Sequence, residues 1–404
     1  MNVTTHLDQP ACDPREWLLD PQVVFLNHGA FGACPRRVLE FQNEVRARME
    51  RQPLQFLVRE LEPELDTARS ALAQFVGAEP ENLVFVSNAT AGVNTVLRSL
   101  VFKPGDELIV TNQGYNACRN ALDFVSARSG ARVVIANLPF PLRGAEELIA
   151  PILACVTPHT RLALLDHVSS PTGVVMPIKR LVSALSARGV DALVDGAHAP
   201  GMLPLNLESL GAAYYTGNCH KWLCAPKGAA FLYVRPGRQK LIHPLIISHG
   251  ANSSRTDRSR FQIEFGWTGT CDMSACLSVP EAMRFMGSLL PGGWPEIMVR
   301  NRALALAARK VLCMALQIEE PCPPEFIGSL AAVPISDASP DALPTLPVNE
   351  YPLQADWRIR HGIEVPIMPW PAAPKCLLRV SAQMYNSLPQ YEFLARMLAG
   401  ELLP

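Results

Sequence analysis

Short apolar runs alternate with stretches of helical periodicity through most of the chain. Residues 82–100, NLVFVSNATAGVNTVLRSL, read as a strand, a turn and a helix; residues 106–130, DELIVTNQGYNACRNALDFVSARSG, repeat that grammar, and ARVVIANL supplies another strand. RLALLDHVSSPTG (161–173), GVDALVDGAHAPG (189–201) and AAYYTGNCHKW (212–222) are each an apolar run broken at its end by small and polar residues. Strands alternating with helices of this length predict an α/β fold with a parallel or mostly parallel sheet covered on both faces, and ligands of such sheets gather at the carboxyl ends of the strands. Ahead of them, VVFLNHGAFG (23–32) predicts an extended segment feeding a loop. From Arg36 to about Val76 the spacing is helical and ends on Gly77, a C-terminal cap.

From about Cys276 the pattern changes. LSVPEAMRFMG and IMVRNRALALAARKVLCMAL predict helices, the proline-rich EEPCPPEF a loop, and LPQYEFLARMLAGELL a terminal helix, together a smaller α+β domain. At 404 residues the chain exceeds the size at which one core keeps growing. The expected organisation is a segment 1–24 packing on the small domain, a large domain 25–275 and a small C-terminal domain 276–404.

Composition narrows the picture. Hydrophobic residues at 49% against 18% charged ones argue against disorder. With 36 basic and 37 acidic residues the net charge is −1, and no dense Lys/Arg run exceeds the mild RTDRSR, so nucleic acid is not an expected partner. The 11 cysteines are odd in number and irregularly spaced, the usage of a reduced cytosolic protein rather than a disulfide scaffold. The opening MNVTTHLDQPACDPREW has neither a basic n-region nor an apolar h-region, and no window approaches bilayer-spanning length; the expectation is a cytoplasmic protein with no membrane partner.

Candidate chemistry clusters at the predicted strand ends. Asp195 closes an apolar run in LVDGAHAPG, where a sheltered carboxylate can hold a proton on a heteroaromatic nitrogen or, equally, cap the next segment as an Asx turn. His198 follows three residues later, and by itself reads as a packed histidine. TGNCHKWLCAPKG (216–228) holds two lysines. Lys221, after a strand neighbouring that of Asp195, becomes nucleophilic if desolvated beside other cations; Lys227, in APKG, predicts a turn tip in water. Ser-Asn-Ala-Thr at 87–90 opens a helix whose free N–H groups can take a phosphate, although such a cap needs no ligand. Tyr115, in NQGYN, is either a stacking aromatic or a rim residue.

A phosphate turn, an aromatic, Asp-x-x-His and then His-Lys, in that order, match pyridoxal phosphate held as a lysine Schiff base. The chain resembles the class V aminotransferase family of fold type I, and most closely its isopenicillin N epimerase-like branch, from FLNHGAFG through RVSAQMYN. The motifs VDGAHAPG, YTGNCHKWLCAPKGAAFLYV and WTGTCDMSACLSVPEAMRFM carry the resemblance. It implies a mostly parallel seven-stranded sheet sandwiched by helices. It also implies pyridoxal 5′-phosphate bound to Lys221, with Asp195 on the pyridinium nitrogen and His198 on the ring hydroxyl. Ala89 and Thr90 would hold the phosphate with Asn218 and His220 adding contacts, Tyr115 would stack on the ring, and Ser169 would approach the cofactor oxygen. Thr270, in WTGT, resembles the residue that reaches the phosphate of the partner subunit, so a homodimer is implied. Arg379, in LLRVSAQMYN, matches the arginine that clamps the substrate carboxylate, and Asn27 and His28 line the substrate side.

The same cofactor serves several reactions, and neighbouring acids and bases choose between them. Ile363 and Glu364 stand where related desulfurases carry their thiolate, and GIEVP is instead similar to the epimerase-like branch. The expected chemistry is an external aldimine with an amino-acid substrate and removal of the α-proton by Lys221, leading to epimerisation, with Tyr115 or a water returning the proton. A carbon–sulfur lyase and a transaminase stay open. Cys271 occupies a position where epimerase-like relatives commonly carry arginine, which implies a different substrate side chain. A zinc site on the pairs Cys219/Cys224 and Cys271/Cys276 has the loosest acceptable spacing, and buried thiols packed beneath the cofactor are the expectation, with no metal.

Overall fold

The computed structural model describes residues 7–337 and 351–402, so the start of the expected N-terminal segment and residues 338–350 of the small domain lie outside the described residues. In chain order the strands are β1 (Val24–Phe25), β2 (Leu83–Val86), β3 (Glu107–Thr111), β4 (Arg132–Ala136), β5 (Thr160–Asp166), β6 (Asp191–Asp195), β7 (Tyr214–Asn218), β8 (Ala230–Val234), β9 (Leu330–Ile335), β10 (Ile363–Glu364), β11 (Ile367–Pro369) and β12 (Cys376–Ser381).

Seven of them form the expected sheet, in the order β2-β8-β7-β6-β5-β3-β4. Only β8 runs against its neighbours, antiparallel to both β2 and β7, so the other six strands share one carboxyl edge. Strands β3, β7 and β8 are buried throughout, as both-face coverage requires, whereas the edge strand β4 leaves Arg132 and Ile135 to solvent. Each face has its own core. Val93, Leu97, Leu122 and Val125, from helices Ala89–Ser99 and Asn116–Ser129, close one face. The other face joins a larger cluster that runs without a break from Val76 and Leu165 to Leu304, Leu378 and Leu394 of the small lobe.

The helix Leu61–Val76 ends where expected, with Gly77 left-handed at φ 64°. Upstream the periodicity hides a break: helix Arg36–Arg51 stops before Pro53 and the chain passes through a π-helical stretch, Phe56–Glu60. VVFLNHGAFG also departs from expectation. Only Val24–Phe25 is extended, pairing parallel with β10, and His28–Phe31 coils into a helical turn instead of a loop. That turn is held because Gly29 N–H donates to Ser381 Oγ at 2.9 Å and because Gly32 lies so close to the 220s loop that a Cβ there would stand 1.9 Å from His220 O.

In the small lobe, β9, β12 and β11 make an antiparallel sheet on which helix Gly293–Ala315 packs, beside the terminal helix Leu388–Leu402. The N-terminal segment touches this lobe through Ala11 N–H to Met384 O at 2.9 Å and Leu388 N–H to Leu7 O at 2.7 Å. We propose the boundary between the lobes at Cys276.

Candidate active site

At the common carboxyl edge a cavity of about 380 Å³ is lined by Asn88, Ala89 and Thr90 after β2, Tyr115 after β3, Asp166 at the end of β5 with Val168 and Ser170 beyond it, and Asp195 at the end of β6 with His198 beyond it. Asn218 at the end of β7, His220, Lys221 and Lys227 after it, and Ala30 and Phe31 from the N-terminal turn also line it. The sheet topology gathers these residues, which are far apart in sequence, because parallel strands end on the same side.

The approach to β2 is built first. Asn88 caps the helix Ala89–Ser99 by accepting from Ala91 N–H at 2.8 Å, and Asn218 Oδ1 accepts from Ala89 N–H at 2.8 Å. Ala89 is thus engaged by the protein itself. Thr90, the next residue, lines the cavity at the start of the same helix. Helix and strand meet this closely because residue 92 is glycine: a Cβ there would lie 2.2 Å from Thr216 Oγ1 of β7.

Lys221 sits in a tight turn closed by Cys224 N–H to Lys221 O at 3.0 Å, with Cys224 at a left-handed φ of 58°. Its amine lies 3.1 Å from His198 Nε2, and Trp222 Nε1–H donates to His198 Nδ1 at 3.4 Å. Burial, then the nearby Arg379 cation, bring the lysine down to about 7. Burial likewise holds the His198 ring well below its ordinary value, and His220 down to about 4.

Asp195 is buried and forms no ion pair among the described residues. Its Oδ1 accepts from Ala197 N–H at 2.9 Å and its Oδ2 from the Cys118 thiol at 3.1 Å. Asp166 stands beside it in register, and burial followed by the Asp195 charge pushes its carboxyl far up. Arg379, 4% exposed, reaches Ser170 O and Oγ, leaves its Nε without a partner and is brought down to about 10 by burial. Such a cation, desolvated and unpaired by any carboxylate among the described residues, is costly unless an anion arrives.

Several expected residues lie elsewhere. Ser169 is turned into its own loop, where its Oγ accepts from Thr172 Oγ1 at 2.8 Å, and its neighbours Val168 and Ser170 take the cavity wall. His28 points into the core with Nδ1 2.8 Å from Tyr385 OH and Nε2 3.0 Å from Lys221 O, and Asn27 donates to Glu364 Oε1 at 3.3 Å, so both stand behind the wall that Ala30 and Phe31 form. Thr270 faces a second cavity of about 430 Å³, which shares Ser87 and Gly228 with the first. Lys227 corrects the expectation of a solvated tip: it lines the site and donates to Gly32 O at 2.9 Å. Cys219 lies near Cys276 while Cys224 faces Cys34, and among the described residues no three ligating side chains gather as a metal set.

Sequence reading missed Asp166, Ser170, Cys118 and Trp222. Asp166 had a signal, since LALLD ends in the same way as DALVD. The other three carry none that separates them from ordinary turn and core residues.

The donor set fits pyridoxal phosphate. Thr90 at a helix N-terminus suits a phosphate, the unpaired buried carboxylate of Asp195 suits a cationic ring nitrogen, and an amine brought near neutrality suits an aldehyde.

Residues 26–318 match the family model described as Aminotransferase class-V. The chain is 35% identical over 400 residues to an isopenicillin N epimerase from Amycolatopsis lactamdurans, covering 94% of this chain and 95% of that protein. It is 31% identical over 407 residues to a probable chloroplastic L-cysteine desulfhydrase from Arabidopsis thaliana, covering 94% and 83%. Among solved structures, a cystine C-S lyase in complex with its product cysteine persulfide superposes with a TM-score of 0.76 at 20% identity, covering 95% of this chain and 98% of that one. A cysteine desulfurase from Escherichia coli gives a TM-score of 0.74 at 20% identity with both chains fully covered. At that identity the likeness establishes the fold.

Proposed function

Because the chain belongs to the class V aminotransferase family, whose cofactor is pyridoxal 5′-phosphate, we propose that it is an epimerase that removes the α-proton of an amino-acid substrate with Lys221 and returns it on the opposite face. The cofactor, when bound, supplies the electron sink that stabilises the carbanion left at the α-carbon. The observation that carries the reading is the Lys221 amine, brought to about 7 at the strand-end cavity with Asp195 and an unpaired Arg379 around it.

Each residue then has a task. Lys221, uncharged through part of the physiological range, takes the proton. Asp195 carries the negative charge that keeps a ring nitrogen cationic. Thr90 and the helix behind it anchor a phosphate, with Asn218 holding the helix start. Arg379 receives the substrate carboxylate through its planar fork. Tyr115 stands 46% exposed at the rim of the same cavity, and burial raises its phenol, which stays protonated and able to donate a proton to the α-carbon in this reading. Among the described residues no cysteine lines the cavity, which supports this reading over persulfide formation. The protein works as a cytoplasmic homodimer in this reading, with Thr270 reaching the partner subunit's phosphate; the exposed Leu245, Ile246 and Ile247 near the Thr270 cavity support an apolar contact face.

The similarity to a desulfhydrase favours a second reading, β-elimination of a thiol, which needs the same base and no proton return. Incubating the cofactor-loaded protein with a panel of L-amino acids in deuterated water separates the two. Epimerisation places deuterium at the α-carbon with loss of optical purity, elimination yields pyruvate and a free thiol, and a keto acid with aminated cofactor would mark transamination instead. No exchange with any amino acid would overturn the assignment of Lys221 as the α-proton base.

A further inference from the structure

Trp222 follows Lys221 directly and is 1% exposed, and its indole sits against His198 rather than in a purely apolar niche. An indole N–H only donates, so His198 Nδ1, 3.4 Å away, is the accepting nitrogen. An imidazolium has no accepting nitrogen. The ring is therefore neutral and carries its single proton on Nε2, the atom 3.1 Å from Lys221 Nζ. An ammonium accepts nothing, so that contact is satisfied only by the lone pair of an uncharged amine. We propose that Trp222 is a positioning residue that fixes the tautomer of His198 and thereby holds Lys221 in its uncharged, nucleophilic form. The inference rests on the reading of Lys221 as the imine-forming lysine and extends it to a residue that touches neither substrate nor cofactor.

Other groups around the amine act independently of Trp222. Arg379 from β12 opposes a charge on Lys221 and the neighbouring His220 ring, brought down to about 4 by burial, adds none of its own, whereas Asp195, Cys118 and Asp166 favour one. All of them stay in place when the indole alone is changed.

The test is the pH dependence of imine capture by the cofactor-free protein. Pyridoxal 5′-phosphate is added, the imine at Lys221 is trapped with borohydride, and its rate of formation is followed across pH. Trp222→Phe frees the ring to turn its lone pair toward an ammonium, so the midpoint should rise by about one pH unit and capture at pH 7 should slow about fivefold, with the plateau at high pH retained. In a His198→Gln background an amide N–H replaces the tautomer-dependent donor, and Trp222→Phe should then shift nothing. A midpoint that Trp222→Phe leaves unchanged or lowers, or an equal shift in the His198→Gln background, overturns the inference while leaving the functional reading intact. Absence of any imine at Lys221 in the parent protein overturns both. Should phenylalanine at 222 unfold the chain, a benzothiophene isostere at that position keeps the ring and deletes only the N–H, with the same expected shift.

Discussion

Lys221 gives up its proton at about 7, far below its ordinary value, at a cost that the whole fold bears. In the unfolded chain a lysine keeps its proton to its ordinary value near 10.5, whereas in the folded protein it releases it at about 7. Between those limits the unfolded state binds more protons, so stability of the cofactor-free protein rises with pH across that window and the penalty is greatest below it. Lys221→Met should accordingly melt above the parent protein at pH 6, with the gap closing by pH 10, in calorimetry without cofactor; a gap that widens with pH would refute the assignment. The same variant should form no borohydride-trapped imine. Arg379 makes a different prediction. Lysine in its place keeps the charge but loses the planar fork, so Arg379→Lys should raise KM for the amino acid about ten- to a hundredfold (~1.4–2.7 kcal/mol) and leave kcat nearly unchanged, the signature of lost uniform binding.

At the scale of elements, the proposed phosphate end of the site depends on how closely one helix lies on one strand. Helix Ala89–Ser99 rests on β7 through Gly92, and Asn218 at the end of that strand bonds the helix's first N–H. A methyl at 92 meets Thr216 Oγ1 at 2.2 Å and Thr216 Cβ at 2.8 Å, and Thr216 cannot swing freely because its hydroxyl donates to Phe231 O at 2.8 Å. Gly92→Ala should therefore lift the helix start, weaken cofactor binding about tenfold (~1.4 kcal/mol) and leave far-ultraviolet circular dichroism unchanged; combining it with Thr216→Ala should recover part of the loss. Equal affinity of Gly92→Ala and parent for the cofactor would show that helix placement does not govern the phosphate site.

At the scale of the molecule, the two lobes share one hydrophobic cluster and meet at the turn that carries Lys221. His28 bonds both Tyr385 of the small lobe and the carbonyl of Lys221, and Arg379 enters from β12. The proposed dimer has a consequence that activity can report. If Thr270 serves the partner subunit's phosphate site, a heterodimer of Lys221→Ala with Thr270→Val places both lesions in one site and leaves the other whole. Mixing the two variants should restore up to half the parental activity per heterodimer, although each homodimer is impaired; activity no greater than the sum of the homodimers would sink the shared-site arrangement.

The sheet, its two covered faces, the helix stop at Gly77 and the strand-end placement of Asp195, His198 and Lys221 were legible in the chain because they rest on local periodicity and on the rule that parallel strands end together. Orientation was not legible. Whether Ser169 or its neighbours faced the cavity, that Asn27 and His28 stand behind its wall, that Lys227 turns inward to Gly32 and that Trp222 donates to His198 are settled by contacts whose partners lie anywhere from 3 to 357 residues away. A residue type and a spacing determine which strand end a side chain occupies, and only the contacts of the folded core decide which way it points and in which protonation state it is held.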